Sequence, residues 1–107
     1  MVGRLFRVIF ARSARNKLRD IHEYNAENVS DDYARKVSHG LIQEARKLSK
    51  LPDSRPILPT NQPSDPPYRY AKKWSFKIIF RVFQSNDQVQ VEEFLHDAEN
   101  PEKWDGL

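Results

Sequence analysis

The stretch Tyr68-Arg-Tyr-Ala-Lys-Lys-Trp-Ser-Phe-Lys-Ile-Ile-Phe-Arg-Val82 constrains this chain more than any other. Its alternation predicts two strands joined by a tight corner near Trp74-Ser75. Successive side chains of a strand point to opposite sides of the sheet. Phe76, Ile78, Phe80 and Val82 therefore share one face, and Lys77, Ile79 and Arg81 the other. Before the corner, Tyr68, Tyr70 and Trp74 alternate with Arg69, Ala71 and Lys73. Pairing the two strands with their aromatic faces together gives a sheet with one apolar side. The other side then carries Arg69, Lys73, Lys77 and Arg81, a surface suited to an anion. The apolar side needs a cover, and the rest of the chain must supply it.

That cover is legible upstream. Leu5 to Phe10 is bulky on both faces and reads as a strand inside the sheet or under a helix. Ser13 is a plausible N-cap, and Ala14, Leu18, Ile21 and Tyr24 or Asn25 then recur at helical spacing as far as Glu27-Asn28. Ser30 is the next N-cap, with Asp31 and Asp32 in a first turn where negative charge complements the helix dipole. Ala34, Val37, Leu41, Ala45 and Leu48 form the apolar stripe, and Pro52 stops the helix. Gly40 stands mid-helix, which a close helix–helix approach would explain. So short a link between the two helices predicts an antiparallel hairpin. Leu51 to Pro67 reads as loop, because its prolines cannot donate to a ladder. It is either a mobile functional loop or an inert, proline-stiffened link. After the central strand pair, Ser85-Asn86-Asp87-Gln88 is a turn, and Val89, Val91 and Leu95 alternate with Gln90, Glu92, Phe94 and His96. Glu93 interrupts that pattern on the apolar side. The order strand, helix, helix, strand, strand, strand predicts an α+β fold: a small, mostly antiparallel four-stranded sheet covered on one face by a two-helix hairpin.

Size and composition narrow the function classes. The 107 residues make one domain spanning 1–107, long enough to bury a core without disulfides. With no cysteine, and with His22, His39 and His96 scattered, neither a thiolate nor a histidine metal site is expected. No cofactor motif is present, and no apolar run is long enough to span a membrane. With no convincing signal peptide, a cytoplasmic protein is expected. The net charge is only +3, but it is segregated along the chain. Residues 1–19 hold six bases and no acid, whereas residues 20–33 hold five acids and no base. Residues 57–82 hold five bases against Asp65, and residues 83–107 hold seven acids against Lys103. Either the folded chain presents a basic surface to an anionic partner, or neighbouring segments neutralise one another.

Ile21-x-x-Tyr24, Ser30 and Ala34, Leu41, Leu48 and Pro52, an Arg in the first strand of the pair, Lys77-Ile78-Ile79-Phe80-Arg81-Val82, and a last strand ending Leu95-His96 together resemble the RelE/ParE superfamily. The resemblance runs from Arg4 to Trp104 and lies in order and lengths rather than in one sharp motif. It implies the toxin of a type II toxin–antitoxin (plasmid stabilisation) system, a growth-arresting protein with a cognate antitoxin as partner. RelE-like members are mRNA interferases acting on mRNA on the ribosome, and ParE-like members block DNA gyrase without catalytic groups. On the first reading, Arg69 and Lys77 match positions where RelE-like toxins carry basic residues, and Trp104 falls near a tail aromatic. The basic residue expected after the last strand is replaced by Ala98-Glu99. His96, if Leu95 faces the core, shares the open face with Lys77 and Arg81 and could move a proton near neutral pH. The candidate catalytic set is thus Arg69, Lys77, Arg81 and His96. The same residues have plainer roles open to them: His96 as a strand-end hydrogen-bonding group and Arg81 as the ion-pair partner of Glu92. Tyr68, Tyr70 and Trp74 could stack bases or belong to the core. The sequence puts the nuclease reading first, with a gyrase-binding toxin or a plain nucleic-acid-binding domain as alternatives.

Overall fold

The apolar stripes of the two helices do what their spacing requires. A computed structural model describes residues 3–59 and 63–99. β1 (Arg7–Phe10) leads into α1 (Arg12–Asn28) and α2 (Asp31–Arg46), followed by β2 (Arg69–Lys73), β3 (Phe76–Phe83) and β4 (Gln88–His96). Ala34, Val37, Leu41, Ala45 and Leu48 are all buried, as the stripe predicted. Ser30 caps α2 by accepting from the Tyr33 backbone N–H at 3.1 Å. Ser13 is not a cap, because Ala11 holds the N-cap position of α1 and the Ser13 hydroxyl instead donates to the Glu92 carbonyl at 2.7 Å. On α1, Ala14 and Ile21 are buried, but Tyr24 is 67% exposed. His22 and Ser38 meet at 3.1 Å and tie the two helices together.

The sheet order is β1-β4-β3-β2. β2–β3 and β3–β4 are antiparallel and β1–β4 is parallel, so the sheet is mixed while the expected α+β architecture holds. Residues paired across strands share a face. Ile78, Phe80, Val82, Val89, Val91 and Phe94 pack with α1 and α2 in the main core. The opposite face carries a second, smaller core of Leu58, Tyr68, Ile79 and Leu95, with Tyr70 against it. Leu58 comes from the proline-rich segment, which runs along the β2 edge. Its N–H donates to the Tyr68 carbonyl at 2.8 Å, and the Tyr70 N–H donates to the Pro56 carbonyl at 3.1 Å. The segment therefore covers part of the face expected to be open.

Two details of register reverse the predicted faces. The β2–β3 corner has two residues, so Tyr70 opposes Ile79 and Arg69 opposes Phe80. The tyrosines lie on the outer face, and Arg69 and Lys73 lie on the helix side with Ala71. In β4 the pairing steps from Ile79↔Glu93 to Phe80↔Val91, leaving Glu92 as the extra residue of a bulge. Beyond the bulge the alternation is inverted. Phe94 joins the main core, Leu95 joins the outer one, and His96 faces Phe76. Among the described residues no helix is long and apolar enough to cross a membrane.

Candidate functional site

The predicted catalytic set does not assemble. Lys77 and Arg81 do share the outer face. Arg69 and His96 lie on the helix side, separated from each other by about 13 Å along the strands and about 10 Å across them at ordinary strand spacings. Arg69 donates through Nη1 to the Arg55 carbonyl at 2.7 Å, which ties β2 to the proline-rich segment. Lys77 Nζ lies 3.5 Å from the Asp97 carboxylate and 5.8 Å from the Tyr70 ring centroid. Arg81 Nε pairs with the buried Glu92 carboxylate at 3.0 Å, and its guanidinium lies over the Tyr68 and Phe83 rings. The Arg81–Glu92 pair is thus the structural role the sequence had left open. Lys72 holds Asp97 at 2.7 Å, and this hydrogen bond, with Lys77 adding to it, keeps the Asp97 carboxyl below its ordinary range. The outer face is therefore basic in sequence and largely neutralised in structure.

His96 ends β4 with its ring edge-on to Phe76, centroids 5.2 Å apart. Its Nδ1 accepts from the Ala98 N–H at 3.0 Å, so the neutral ring carries its proton on Nε2. Glu99 stands where the family resemblance leads one to expect a basic residue. It accepts from the His96 backbone N–H at 3.0 Å and pairs with Lys17 of α1 at 3.2 Å. The neighbouring Glu93 is half-buried, and desolvation raises its pKa despite the pull of Lys17. Trp104 lies outside the described residues.

A cleft lies on the helix side of the sheet, between the helix hairpin and the β2–β3 corner. Its volume is about 730 Å³. Ile21, Val37 and Phe76 form its floor, Tyr24, Tyr33 and Trp74 its rim, and His96 closes one end. Trp74 explains the mid-helix glycine. A Cβ on Gly40 would lie 2.2 Å from Trp74 Cη2 and 2.8 Å from Cζ3, so the indole rests directly on the backbone of α2. The close approach expected at Gly40 is thus helix to indole, not helix to helix. Trp74 itself has φ of +53°, a left-handed conformation that costs a bulky residue about 1–2 kcal/mol. Gly40 costs α2 about 1 kcal/mol relative to alanine. Two locally unfavourable choices converge on one contact, yet the indole stays 50% exposed. Sequence reasoning missed this cleft. The signals present were a glycine inside a strong helix and a tryptophan at a tight corner.

Solved structures settle the fold class. One chain of the chromosomal ParDE TA system from P. aeruginosa superposes with a TM-score of 0.71 at 17% identity, over 88% of this chain and 98% of that one. The chain shares the fold of that structure. The toxin–antitoxin complex RelBE2 from Mycobacterium tuberculosis gives a TM-score of 0.61 at 15% identity, over 89% of this chain and 94% of that one. No family model and no curated protein matches the sequence. At these identities the fold alone is shared.

Proposed function

We propose that this protein is the toxin of a type II toxin–antitoxin pair, held silent by a cognate antitoxin in the cytoplasm and arresting growth by gripping a protein target in the ParE manner. The toxin role is supported by the fold shared along nearly the whole chain with the two toxin–antitoxin structures. One observation favours the binding mode over RNA cleavage: Arg69, Lys77, Arg81 and His96 do not share a face, and Lys77 and Arg81 are already engaged with Asp97 and Glu92. A ribonuclease of this kind needs a base, an acid and unneutralised positive charge converging on one phosphate. The described basic residues of the sheet do not offer that convergence. DNA gyrase is the target that the family resemblance names first for a toxin without catalytic groups.

Induced expression without its antitoxin should arrest bacterial growth, and co-expression of the cognate antitoxin should restore it. Purified protein should inhibit gyrase supercoiling and leave messenger RNA intact in a translating extract. His96→Ala should leave messenger RNA in that extract as intact as wild type does. Messenger cleavage that falls about 10²-fold in His96→Ala would overturn the binding mode in favour of a nuclease. Normal growth with confirmed folded protein would overturn the toxin reading altogether.

A further inference from the structure

We infer that the cleft between α1, α2 and the β2–β3 corner is a docking site for an acidic peptide segment carrying a large apolar anchor, presented by a protein partner. The inference rests on the reading of this chain as a protein that acts through protein contact, and it names the surface. Three exposed aromatic residues of the described chain, Tyr24, Tyr33 and Trp74, rim this one cleft. Tryptophan and tyrosine around an apolar floor are the composition of energetically dominant interface sites. The Trp74 wall is also pre-organised. Its indole is seated on the Gly40 backbone, where not even a methyl group fits, so little ordering remains to be done when a ligand arrives.

Charge decides the class of occupant. Lys36 lines the cleft, and Lys73 Nζ lies 4.5 Å from the centroid of the Trp74 ring just outside it. Among the described residues neither lysine has a carboxylate partner. They offer two positive charges beside the aromatic wall. A nucleic acid would need a continuous basic track for its backbone. The α1 wall breaks such a track, because Asp20 lines it and Lys17 is already paired with Glu99. A peptide needs no track. Its leucine or phenylalanine can fill the floor over Ile21, Val37 and Phe76 while its carboxylates meet Lys36 and Lys73.

The test uses the full chain with Trp104→Phe, which leaves Trp74 as the single tryptophan. Titration with the blocked peptide Asp-Glu-Phe-Leu-Glu should give a saturable blue shift of its emission. The lysine counterpart Lys-Lys-Phe-Leu-Lys and the anchorless Asp-Glu-Ala-Ala-Glu should bind about tenfold more weakly or worse. Lys36→Glu and Tyr33→Ala, both at exposed positions, should each weaken the acidic peptide about tenfold with an unchanged circular dichroism spectrum. No saturable shift, equal binding of all three peptides, or tighter binding of a single-stranded oligothymidylate would overturn the inference. The toxin reading is scored separately by growth arrest. Arrest without peptide binding sinks the docking site alone, and peptide binding without arrest sinks the toxin reading alone.

Discussion

Gly40→Ala isolates the contact on which the cleft depends. In an exposed helix the substitution would stabilise α2 by about 1 kcal/mol. Here the new Cβ would stand 2.2 Å from Trp74 Cη2, a separation no pair of carbon atoms tolerates. Either the helix and the corner move apart or the indole leaves its seat. Forced overpacking costs about 1–3 kcal/mol. Ejecting the ring costs a comparable amount: Trp74 is half-buried, so about 125 Å² of indole is at stake, about 3 kcal/mol if all of it were lost. Taking about 2 kcal/mol for a partial loss and subtracting the propensity gain leaves Gly40→Ala about 1 kcal/mol less stable than wild type. In a Trp74→Ala background the clash is gone, and the same change should stabilise by about 1 kcal/mol. The two substitutions should therefore couple by about 2 kcal/mol, well beyond the additivity expected of independent sites. Urea unfolding of the four proteins measures this, and Trp74 emission reports the seat directly. If Gly40→Ala stabilises equally in both backgrounds and leaves the emission unchanged, the indole does not rest on Gly40.

The remaining predictions concern the charges of the sheet and the helix cap. Arg81→Ala strands the buried Glu92 carboxylate with Gln90 as its remaining side-chain donor, and it should lower stability by about 2 kcal/mol in urea unfolding, with little dependence on salt. The folded-state pKa of Glu93 is raised, so the folded protein binds its proton more tightly than the unfolded chain does. Its ionisation destabilises the fold progressively as pH rises from the unfolded pKa through the raised folded one. Glu93→Gln should accordingly be more stable than wild type at neutral pH, and the difference should vanish at a pH below the unfolded pKa, as thermal melts across pH will measure. Ser30→Ala removes the α2 cap and should cost about 1 kcal/mol, which a melt reads as a drop of about 4 °C or more.

What sequence reasoning could reach was set by periodicity and caps. The stripe from Ala34 to Leu48, the Ser30 cap and the β-α-α-β-β-β order are local properties, and each is realised, whereas the helix expected to stop at Pro52 already ends at Arg46, and Pro52 opens a short 3-10 turn instead. Ser13 failed as a cap because its hydroxyl had a better long-range partner, the carbonyl exposed at the β4 bulge. The face of β2 was misjudged for a reason of parity. A two-residue corner pairs Lys73 with Phe76, so paired positions sum to an odd number. Even-numbered Tyr68 and Tyr70 then lie with odd-numbered Ile79, never with Phe80. Aromatic likeness suggested the opposite pairing, and the length of the turn overruled it.

The bulge at Glu92 matters most for function, and it left one mark in the sequence: two consecutive acids where the alternation allows one. Taken as a flaw in an otherwise regular strand, Glu93 keeps Leu95 on the core side and His96 on the outer face with Lys77 and Arg81. Taken as the trace of an extra residue, it inverts everything downstream. The extra residue places the Glu92 carboxylate under Arg81, where it cancels the charge a phosphate would need. It turns Leu95 outward to meet Leu58 and Ile79, closing part of the face a nucleic acid would need. It also turns His96 inward to the mouth of the aromatic cleft beside Phe76. One added residue thus dismantles the would-be acid–base site and furnishes one end of a docking site. Deleting Glu92 should leave these downstream faces in place, because Phe80↔Val91 and Ile79↔Glu93 then follow one another as regular pairs. The prediction is a protein made less stable by loss of the buried ion pair, in which His96 still contacts Phe76, read by persistence of the nuclear Overhauser effects between their rings. Loss of those effects in the deletion variant would refute the assignment of Glu92 as the extra residue.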